Sequence, residues 1–326
     1  MKTVLLASCA LSLTLAGTAS AVEIKVSHSS QASLSSELHT AAWAFQSYLR
    51  DFATGFTVTI YPNNQLGQER EVYEAMQLGS GADCSVTGTA ILGNFDAKLG
   101  VVDLPYLWAD YEHMHRVLDG EVGDILAAGL RDTGLEIVAW LDSWGYRNVA
   151  TKQPITSAED LQGLKIRTIP TNTYVKTVNA MGANATPMAF GEIYTAMETG
   201  VLDGLEHSAA LVYSNKFHEV ADYYTLTRHF LGPVAFVCST SFMSTLDDDQ
   251  KEQVMAAAAF AGDLERALAP VREQDALTAL AAEGMTIGTI DTTPLQEATK
   301  PVQDEIATAI GAMDILDKIR AAAPAP

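Results

Sequence analysis

The chain alternates short strand-like apolar segments with segments whose apolar residues recur at helical spacing. In "EIKVSHSS" and "FTVTIY" the apolar residues take every second position, as in a half-buried strand. By contrast, "SSELHTAAWAFQSYLRDFA" and "QEREVYEAMQLG" have the 3.6-residue period of an amphipathic helix. "LKIRT" and "PVAFVCSTSFM" add strands further along the chain. Strands that alternate with helices predict an α/β architecture, in which helices cover the faces of sheets.

One long helical stretch follows Ser244. Thr245 and Asp248 fit a capping box at its start, and Pro270 predicts a kink inside it. The 326 residues are 48% hydrophobic, which is enough for a large core, and a chain of this length divides more naturally into two domains than one. Because we find no low-complexity linker, we expect the chain to cross between the domains through strands and helices.

The N-terminus has the pattern of a secretory signal peptide. Lys2 precedes an apolar run, and small residues end the segment at Ala21. We therefore predict a signal peptide of residues 1–21 with cleavage after Ala21. "LASC" at Cys9 resembles a lipoprotein cleavage box, but the apolar run before Cys9 is short for such a signal. No later segment has about 18 uninterrupted apolar residues, as a membrane span requires.

The chain is strongly acidic, with 20 Lys plus Arg against 40 Asp plus Glu. Loss of Lys2 with the signal peptide takes the net charge from −20 to −21. We expect no nucleic-acid binding from such a chain, and its overall field cannot attract an anion. An anionic ligand must therefore be held by individually placed cations, and Arg167, at the end of the apolar strand "LKIR", is a candidate.

Two cysteines, Cys84 and Cys238, remain after removal of the signal peptide. In an oxidising compartment they can pair. The sequence does not place them within bonding distance, so two buried free thiols are an equally open interpretation.

The sequence has no recognisable catalytic motif. There is no G-x-S-x-G elbow, no Walker loop, and no G-x-G-x-x-G after a strand. His113 and His115 are two positions apart and do not share a helix face. The acidic run 247–249 lacks calcium-loop spacing and fits a helix N-terminus. We therefore predict no metal, no cofactor and no enzyme activity.

Four residues form a set at the ends of predicted strands. Arg167 ends "LKIR" and His207 ends "VLDGLEH", Arg147 follows two aromatic residues, and Phe190 precedes a helix N-terminus. In α/β sheets, ligands bind beyond the carboxyl ends of the strands. A planar guanidinium can hold a carboxylate through two parallel hydrogen bonds. The alternative is that each arginine pairs with an acidic neighbour on the surface.

Two ordered stretches, "GLKIRT…NAMGANATPMAFGEIYTAMETGVLDGLEHSAALVYSNKFHEVADYYTLTRH" and "YPNNQLGQEREVYEAMQLG", resemble the solute-binding proteins of tripartite ATP-independent periplasmic (TRAP) transporters, in the dicarboxylate-binding (DctP-like) branch. The resemblance runs from about Glu23 to the C-terminal helices. It implies a two-lobed periplasmic-binding-protein fold, each lobe a sheet flanked by helices, with a ligand cleft between the lobes and a long helix spanning both. On this basis we assign residues 22–144 plus 232–270 to lobe I and 145–231 plus 271–326 to lobe II.

The same resemblance implies a function. A periplasmic protein of this type captures an organic acid through its carboxylate and delivers it to membrane permease subunits, driven by an ion gradient. We expect a monomer. A binding partner of a sensor, rather than of a permease, is an alternative that the sequence does not separate.

The resemblance also assigns roles to residues. Arg167 corresponds to the arginine that makes the bidentate carboxylate contact, Arg147 to a second arginine, and Phe190 to an aromatic residue that stacks on the ligand. His207 stands in "DGLEH", where the family often has an asparagine in "DGQEN". A neutral histidine keeps one donor and one acceptor, so it can still serve the ligand. The glutamate of sialic-acid-type members is missing near Gly88 or Thr89, which disfavours an amino-sugar ligand.

A sugar acid, such as a uronate or aldonate, is the predicted ligand. Small hydroxy or keto acids, C4-dicarboxylates and organosulfonates are the alternatives. Further candidate ligand-binding residues are aromatic walls for a ring and polar groups for hydroxyls: Trp144, Tyr146, His28, Glu69 and Thr89. For His28 and Glu69, a solvated loop and a helix first turn are equally good interpretations.

Overall fold

The structure is a computed structural model that describes residues 21–142 and 145–324. Residues 1–20 of the predicted signal peptide, Cys9 among them, and Trp144 lie outside the described residues. The strands are β1 Val22–Ser27, β2 Phe56–Tyr61, β3 Cys84–Gly88, β4 Leu135–Leu141, β5 Tyr146–Thr151, β6 Lys165–Thr168, β7 Asn184–Pro187, β8 Gly204–His207, β9 Tyr223–Leu231, β10 Val234–Ser239 and β11 Thr286–Thr289.

Helices separate most of these strands. They are α1 Glu37–Phe52, α2 Glu69–Gln77, α3 Thr89–Leu92, α4 Tyr111–Leu118, α5 Glu121–Arg131, α6 Asn172–Ala180, α7 Ile193–Glu198, α8 Ala209–Ser214, α9 Thr240–Thr245, α10 Asp248–Ala282, α11 Thr293–Ala309 and α12 Met313–Ala321. In the part of the chain that the structure describes, no helix is both long enough and apolar enough to cross a membrane.

Two sheets organise the molecule. The first lobe is built on a five-stranded sheet with the order β2-β1-β3-β10-β4, in which β1, β2 and β3 are parallel and β10 is antiparallel to both neighbours. The second lobe is built on a six-stranded sheet with the order β11-β9-β5-β8-β6-β7. The predicted two-lobed α/β fold is confirmed, whereas the lobe boundaries stay a prediction.

The long helix α10 connects the lobes. It contacts α1 and β4 in the first lobe, and α8 and β11 in the second, and it continues through Pro270. The predicted capping box was wrong. Asp247 caps the helix and exchanges hydrogen bonds with Gln250, while Thr245 ends the separate helix α9, where its hydroxyl donates to the carbonyl of Phe242.

Cys84 and Cys238 are disulfide-bonded. They face each other directly in the register of β3 and β10, in the interior of the first sheet. Of the two interpretations that the sequence left open, the structure therefore has the paired one. Strand order brings together residues that lie 154 positions apart in sequence.

Buried carboxyl groups lie where α10 passes the start of α1. Glu265 has no exposed surface, and its Oε1 accepts a hydrogen bond from Arg272 Nη1 at 3.3 Å. Glu37, the first residue of α1, is also buried, and neither of its carboxylate oxygens has a hydrogen-bond partner within the described chain. Burial raises the pKa of Glu265 to about 8, and the charges of Glu37 and Asp142 act in the same direction against that of Arg272.

A Glu265→Gln variant should gain stability relative to the wild type as the pH rises. The unfolded chain ionises this carboxyl above pH 4.5, whereas the folded protein keeps it protonated to about pH 8. Its contribution to stability is therefore complete below pH 4.5 and is lost as the pH rises through 8, at up to about 1.4 kcal/mol per pH unit. Glutamine does not titrate, so the stability difference should widen between pH 4.5 and 8.

Urea unfolding at several pH values measures this difference. Glu252→Gln on the exposed face of the same helix is the matched control. The free energy of unfolding of Glu265→Gln, relative to the wild type, should change with pH. If it stays constant, as for the control, the carboxyl at position 265 is not buried and protonated.

Candidate functional site: a cleft between the two lobes

A cavity of about 50 Å³ lies where the two lobes face each other. Arg167, Phe190 and His207 contribute from the second lobe. Arg167 lies near the end of β6, Phe190 follows β7, and His207 ends β8. These three strands are parallel neighbours, so their carboxyl ends meet at one edge of the sheet.

The first lobe supplies the opposite wall. Glu69 and Arg70 lie in the first turn of α2, Ser29 follows β1, and Ile91 lies in α3. The capping residue of α2, Gln68, also lines the cavity. The sequence analysis did not select Gln68 or Arg70, although both lie in the quoted stretch "YPNNQLGQEREVYEAMQLG" beside Glu69.

Arg167 places a buried positive charge in this cavity. Its side chain is 2% exposed, and its Nε and Nη2 both donate to the carbonyl of Met188, at 3.0 and 2.7 Å. Its Nη1 is buried without a hydrogen-bond partner among the described residues. Burial lowers the pKa of Arg167 to about 10, so the group stays charged at neutral pH. The backbone thus holds one side of the guanidinium, and Nη1 at its end stays available for a hydrogen bond.

His207 is an uncharged polar group beside this cation. It is 1% exposed, its Nε2 lies 3.2 Å from Arg147 Nη1, and its Nδ1 accepts a hydrogen bond from the Ser208 amide. Burial, together with the charges of Arg147 and Arg167, holds the pKa of His207 well below its usual value. The ring of Phe190 meets it edge to face, with centroids 6.1 Å apart.

Glu69 and Arg70 add charges of opposite sign on the first-lobe wall. Glu69 Oε1 accepts hydrogen bonds from Thr87 Oγ1 at 2.7 Å and Ser29 Oγ at 3.2 Å. Burial raises the pKa of Glu69, although these two hydroxyls act against that shift. Arg70 is mostly exposed, and its Nε donates to Glu74 at 2.9 Å. Within this group, only Arg167 combines a buried charge with a buried N–H group that lacks a partner in the described chain.

Arg147 lies behind the cavity wall in a buried ion pair. It is the second residue of β5 and not the end of a strand as predicted, and it reaches this edge because β5 runs antiparallel to β8. It has no exposed surface, and its Nε and Nη2 donate to the two carboxylate oxygens of Glu206, at 2.5 and 2.9 Å. Although burial opposes it, the Arg147 charge lowers the pKa of Glu206 to about 2. Arg147 therefore has an acidic partner in the interior, and it contacts the cavity through His207. Its ligand contact stays a prediction.

Three other predicted residues lie apart from the cavity-lining groups. The Thr89 hydroxyl lies within hydrogen-bonding distance of two acceptors, Asp103 Oδ2 at 2.8 Å and the carbonyl oxygen of Pro233 at 3.1 Å. Tyr146 packs against Tyr111 and under the guanidinium of Arg228. The third residue, His28, is not in a solvated loop.

His28 is 2% exposed and forms a 3.0 Å hydrogen bond with His39, and burial lowers its pKa to about 3. The structure thus brings Arg167, Phe190, His207 and Glu69 together in one cavity, and it places Arg147, Thr89, His28 and Tyr146 elsewhere. Within the described chain, no group of three or more His, Cys, Asp or Glu side chains is placed to hold a metal ion.

Comparison with known proteins points in one direction. The family model described as bacterial extracellular solute-binding protein, family 7 (DctP) matches residues 28–309. The C4-dicarboxylate-binding periplasmic protein DctP of Rhodobacter capsulatus is 31% identical over 317 residues, which is 95% of each chain.

Solved structures share the fold. A TRAP periplasmic solute-binding protein from Xanthobacter autotrophicus Py2, with bound β-D-galacturonate, is 29% identical with a TM-score of 0.86, over 91% of this chain and 99% of that one. The sugar acid binding protein DctPAm from Advenella mimigardefordensis, in complex with galactonate, is 26% identical with a TM-score of 0.88, over 93% and 99% of the two chains.

Proposed function

The chain belongs to the family 7 bacterial extracellular solute-binding proteins, the periplasmic binding proteins of TRAP transporters, and on this premise we propose that it captures a sugar acid for uptake by a TRAP permease. Proteins of this family bind organic acids and work with membrane permeases. Its members and structural neighbours are solute-binding proteins rather than enzymes.

The observation that carries the proposal is the end of Arg167 in the cleft. A carboxylate that enters a closed cleft loses its water, and donors already in position must replace that water. Arg167 Nη1 is buried, charged and without a partner in the described part of the chain. The net charge of −20 repels anions, so a buried cationic group of this kind is what an anionic ligand needs.

The rest of the cavity carries one acid, Glu69, and one further cation, Arg70, which already pairs with Glu74, so it offers a hydroxylated body more than it offers a second acid group. His207 is uncharged, and Ser29 and Gln68 offer neutral donors and acceptors. Phe190 offers an aromatic face for carbon-bound hydrogens. The galacturonate and galactonate of the two solved structures have this combination of one carboxylate and several hydroxyls.

Location and partners complete the proposal. We propose that residues 1–21 direct export to the periplasm and that cleavage follows Ala21. The mature chain acts as a monomer that delivers its ligand, without catalysis and without nucleic-acid binding. If the partner were a sensor and not a permease, the protein would bind the same ligand, but cells would not need the protein to take up that ligand.

Thermal unfolding with a library of acids tests the ligand class. D-galacturonate, D-glucuronate and D-galactonate should each stabilise the protein, by about 2.7 kcal/mol at a hundredfold excess over the dissociation constant. D-galactose, which lacks the carboxylate, is the matched control and should have no effect. Stabilisation by succinate or by a sulfonate, with none by any sugar acid, would contradict the proposal.

A further inference from the structure

The cleft continues past Phe190 into a second cavity of about 190 Å³, which we call the outer compartment. It shares Ser29 and Phe190 with the first cavity, which we call the inner cavity. Both lobes line it: Gln31, Asn63 and Asn64 from the first, and Tyr194, Asn215 and Phe217 from the second.

Phe190 lies between the two compartments. Its ring meets His207 on the inner side, with centroids 6.1 Å apart, and Phe217 on the outer side, at 5.9 Å. The next residue, Gly191, has no side chain, and a Cβ there would lie 2.9 Å from the Gln68 amide nitrogen and 3.6 Å from that of Asn64. The two lobes therefore approach each other closely beside Phe190.

The inner cavity is too small for a whole sugar acid. Its volume of about 50 Å³ is a third of the roughly 150 Å³ of an engineered cavity that holds benzene. A hexuronate or hexonate is larger than benzene. With its carboxylate on Arg167, the remainder of such a ligand needs space outside the inner cavity, and the outer compartment adjoins that cavity at Ser29 and Phe190.

The outer compartment has the chemistry of a polyol site. Among the described residues that line it, all are uncharged, and four are amides. An amide side chain donates and accepts at once, as a hydroxyl-rich ligand requires. The rings of Phe190, Tyr194 and Phe217 offer apolar faces. A carboxylate would lose its hydration here without a cation in the lining, inside a negatively charged protein.

We propose that the outer compartment binds the uncharged, hydroxyl-bearing end of the ligand, and that the protein therefore selects monoacids with a long polyol end over diacids and over short acids. This inference rests on the proposed function. It goes further because it assigns a second subsite and the property of the ligand that this subsite selects.

Calorimetry with a matched set of acids tests it. Galactarate, a meso compound, differs from D-galactonate only in a second carboxylate in place of the far CH2OH group, and D-glycerate keeps the acid end without the polyol chain. We expect galactonate to bind at least about tenfold tighter than either. Galactarate or glycerate within threefold of galactonate would overturn the inference.

A variant should reverse the selection. Asn215 follows α8, a position at which a helix terminus favours a positive charge, so Asn215→Lys is expected to fold. It should raise the affinity for galactarate relative to galactonate at least about fivefold, because the far carboxylate gains a cation. Asn215→Gln is the neutral control. Asn63 and Asn64 are unsuitable because both have φ above 50°, which other residues adopt poorly.

These experiments distinguish failure of the proposed sugar-acid binding from failure of the outer subsite alone. If none of the sugar acids binds, the proposed function fails and the inference fails with it. If galactonate binds through Arg167 but Asn215→Lys leaves the galactarate ratio unchanged, the outer subsite is wrong and the proposed function stands.

Discussion

Arg167→Ala should weaken binding of the acid ligand more than a hundredfold. The ligand carboxylate loses hydrogen bonds to a charged, buried donor, each worth about 1.5–3 kcal/mol, so we expect a loss of at least about 3 kcal/mol. The structure specifies which atoms matter. Nε and Nη2 already donate to the carbonyl of Met188, so we expect the ligand carboxylate to bind at the end of the guanidinium that carries Nη1. Isothermal calorimetry with the tightest sugar acid measures the loss.

Arg167→Lys is the conservative control. Lysine keeps the charge but lacks the planar fork that bonds Met188 and the ligand together, so it should recover only part of the affinity. Circular dichroism at the calorimetry temperature establishes that each variant is folded. Binding by Arg167→Ala within threefold of the wild type would leave the arginine with a structural role on Met188 alone.

Arg147→Ala should instead act on stability. Arg147 and Glu206 are both fully buried, and removal of the arginine leaves a carboxylate in the interior without its charge partner. Loss of one partner of a buried ion pair costs about 3–5 kcal/mol. We therefore expect a large drop in the free energy of unfolding in urea, in contrast to a modest one for Arg167→Ala.

A double variant distinguishes the ion pair from a ligand contact. Arg147→Met with Glu206→Leu removes both charges and keeps similar volumes, so it should recover most of the stability lost in Arg147→Ala. An Arg147→Ala protein that unfolds like the wild type but fails to bind sugar acids would place Arg147 in direct contact with the ligand.

The contrast between these two arginines marks a limit of sequence reasoning. The sequence analysis placed both at strand ends and treated them alike, whereas Arg147 is the second residue of β5 and Arg167 lies near the end of β6. What separates them is the partner of each: Glu206, 59 positions away, reaches Arg147 because β5 and β8 are neighbours, whereas Arg167 turns to the backbone of Met188. Strand order is a long-range property that local pattern does not contain.

The distinction between local pattern and long-range strand order also explains which other features the sequence predicted and which it did not. Strand and helix alternation predicted the α/β fold, because periodicity is local. The pairing of Cys84 with Cys238 depends on the register of β3 and β10, so the sequence left it open. The outer compartment gathers amides from loops of both lobes, and only the folded chain shows that they face one another. The true cap, Asp247, lies two residues beyond Thr245 because Thr245 is the last residue of the short helix α9.

The position of β10 has a consequence for biogenesis. It is the strand that joins β4 to the rest of the first sheet, yet its sequence follows the whole of β5 to β9. In the export that we propose for this chain, β1 to β4 cross the membrane before their missing neighbour does. The first lobe therefore completes its sheet only after the main strands of the second lobe have emerged, and pairing over such separations is slow. Cys84 and Cys238 lie opposite each other in the register of β3 and β10, so the native fold brings the two thiols together only when this late strand pairs.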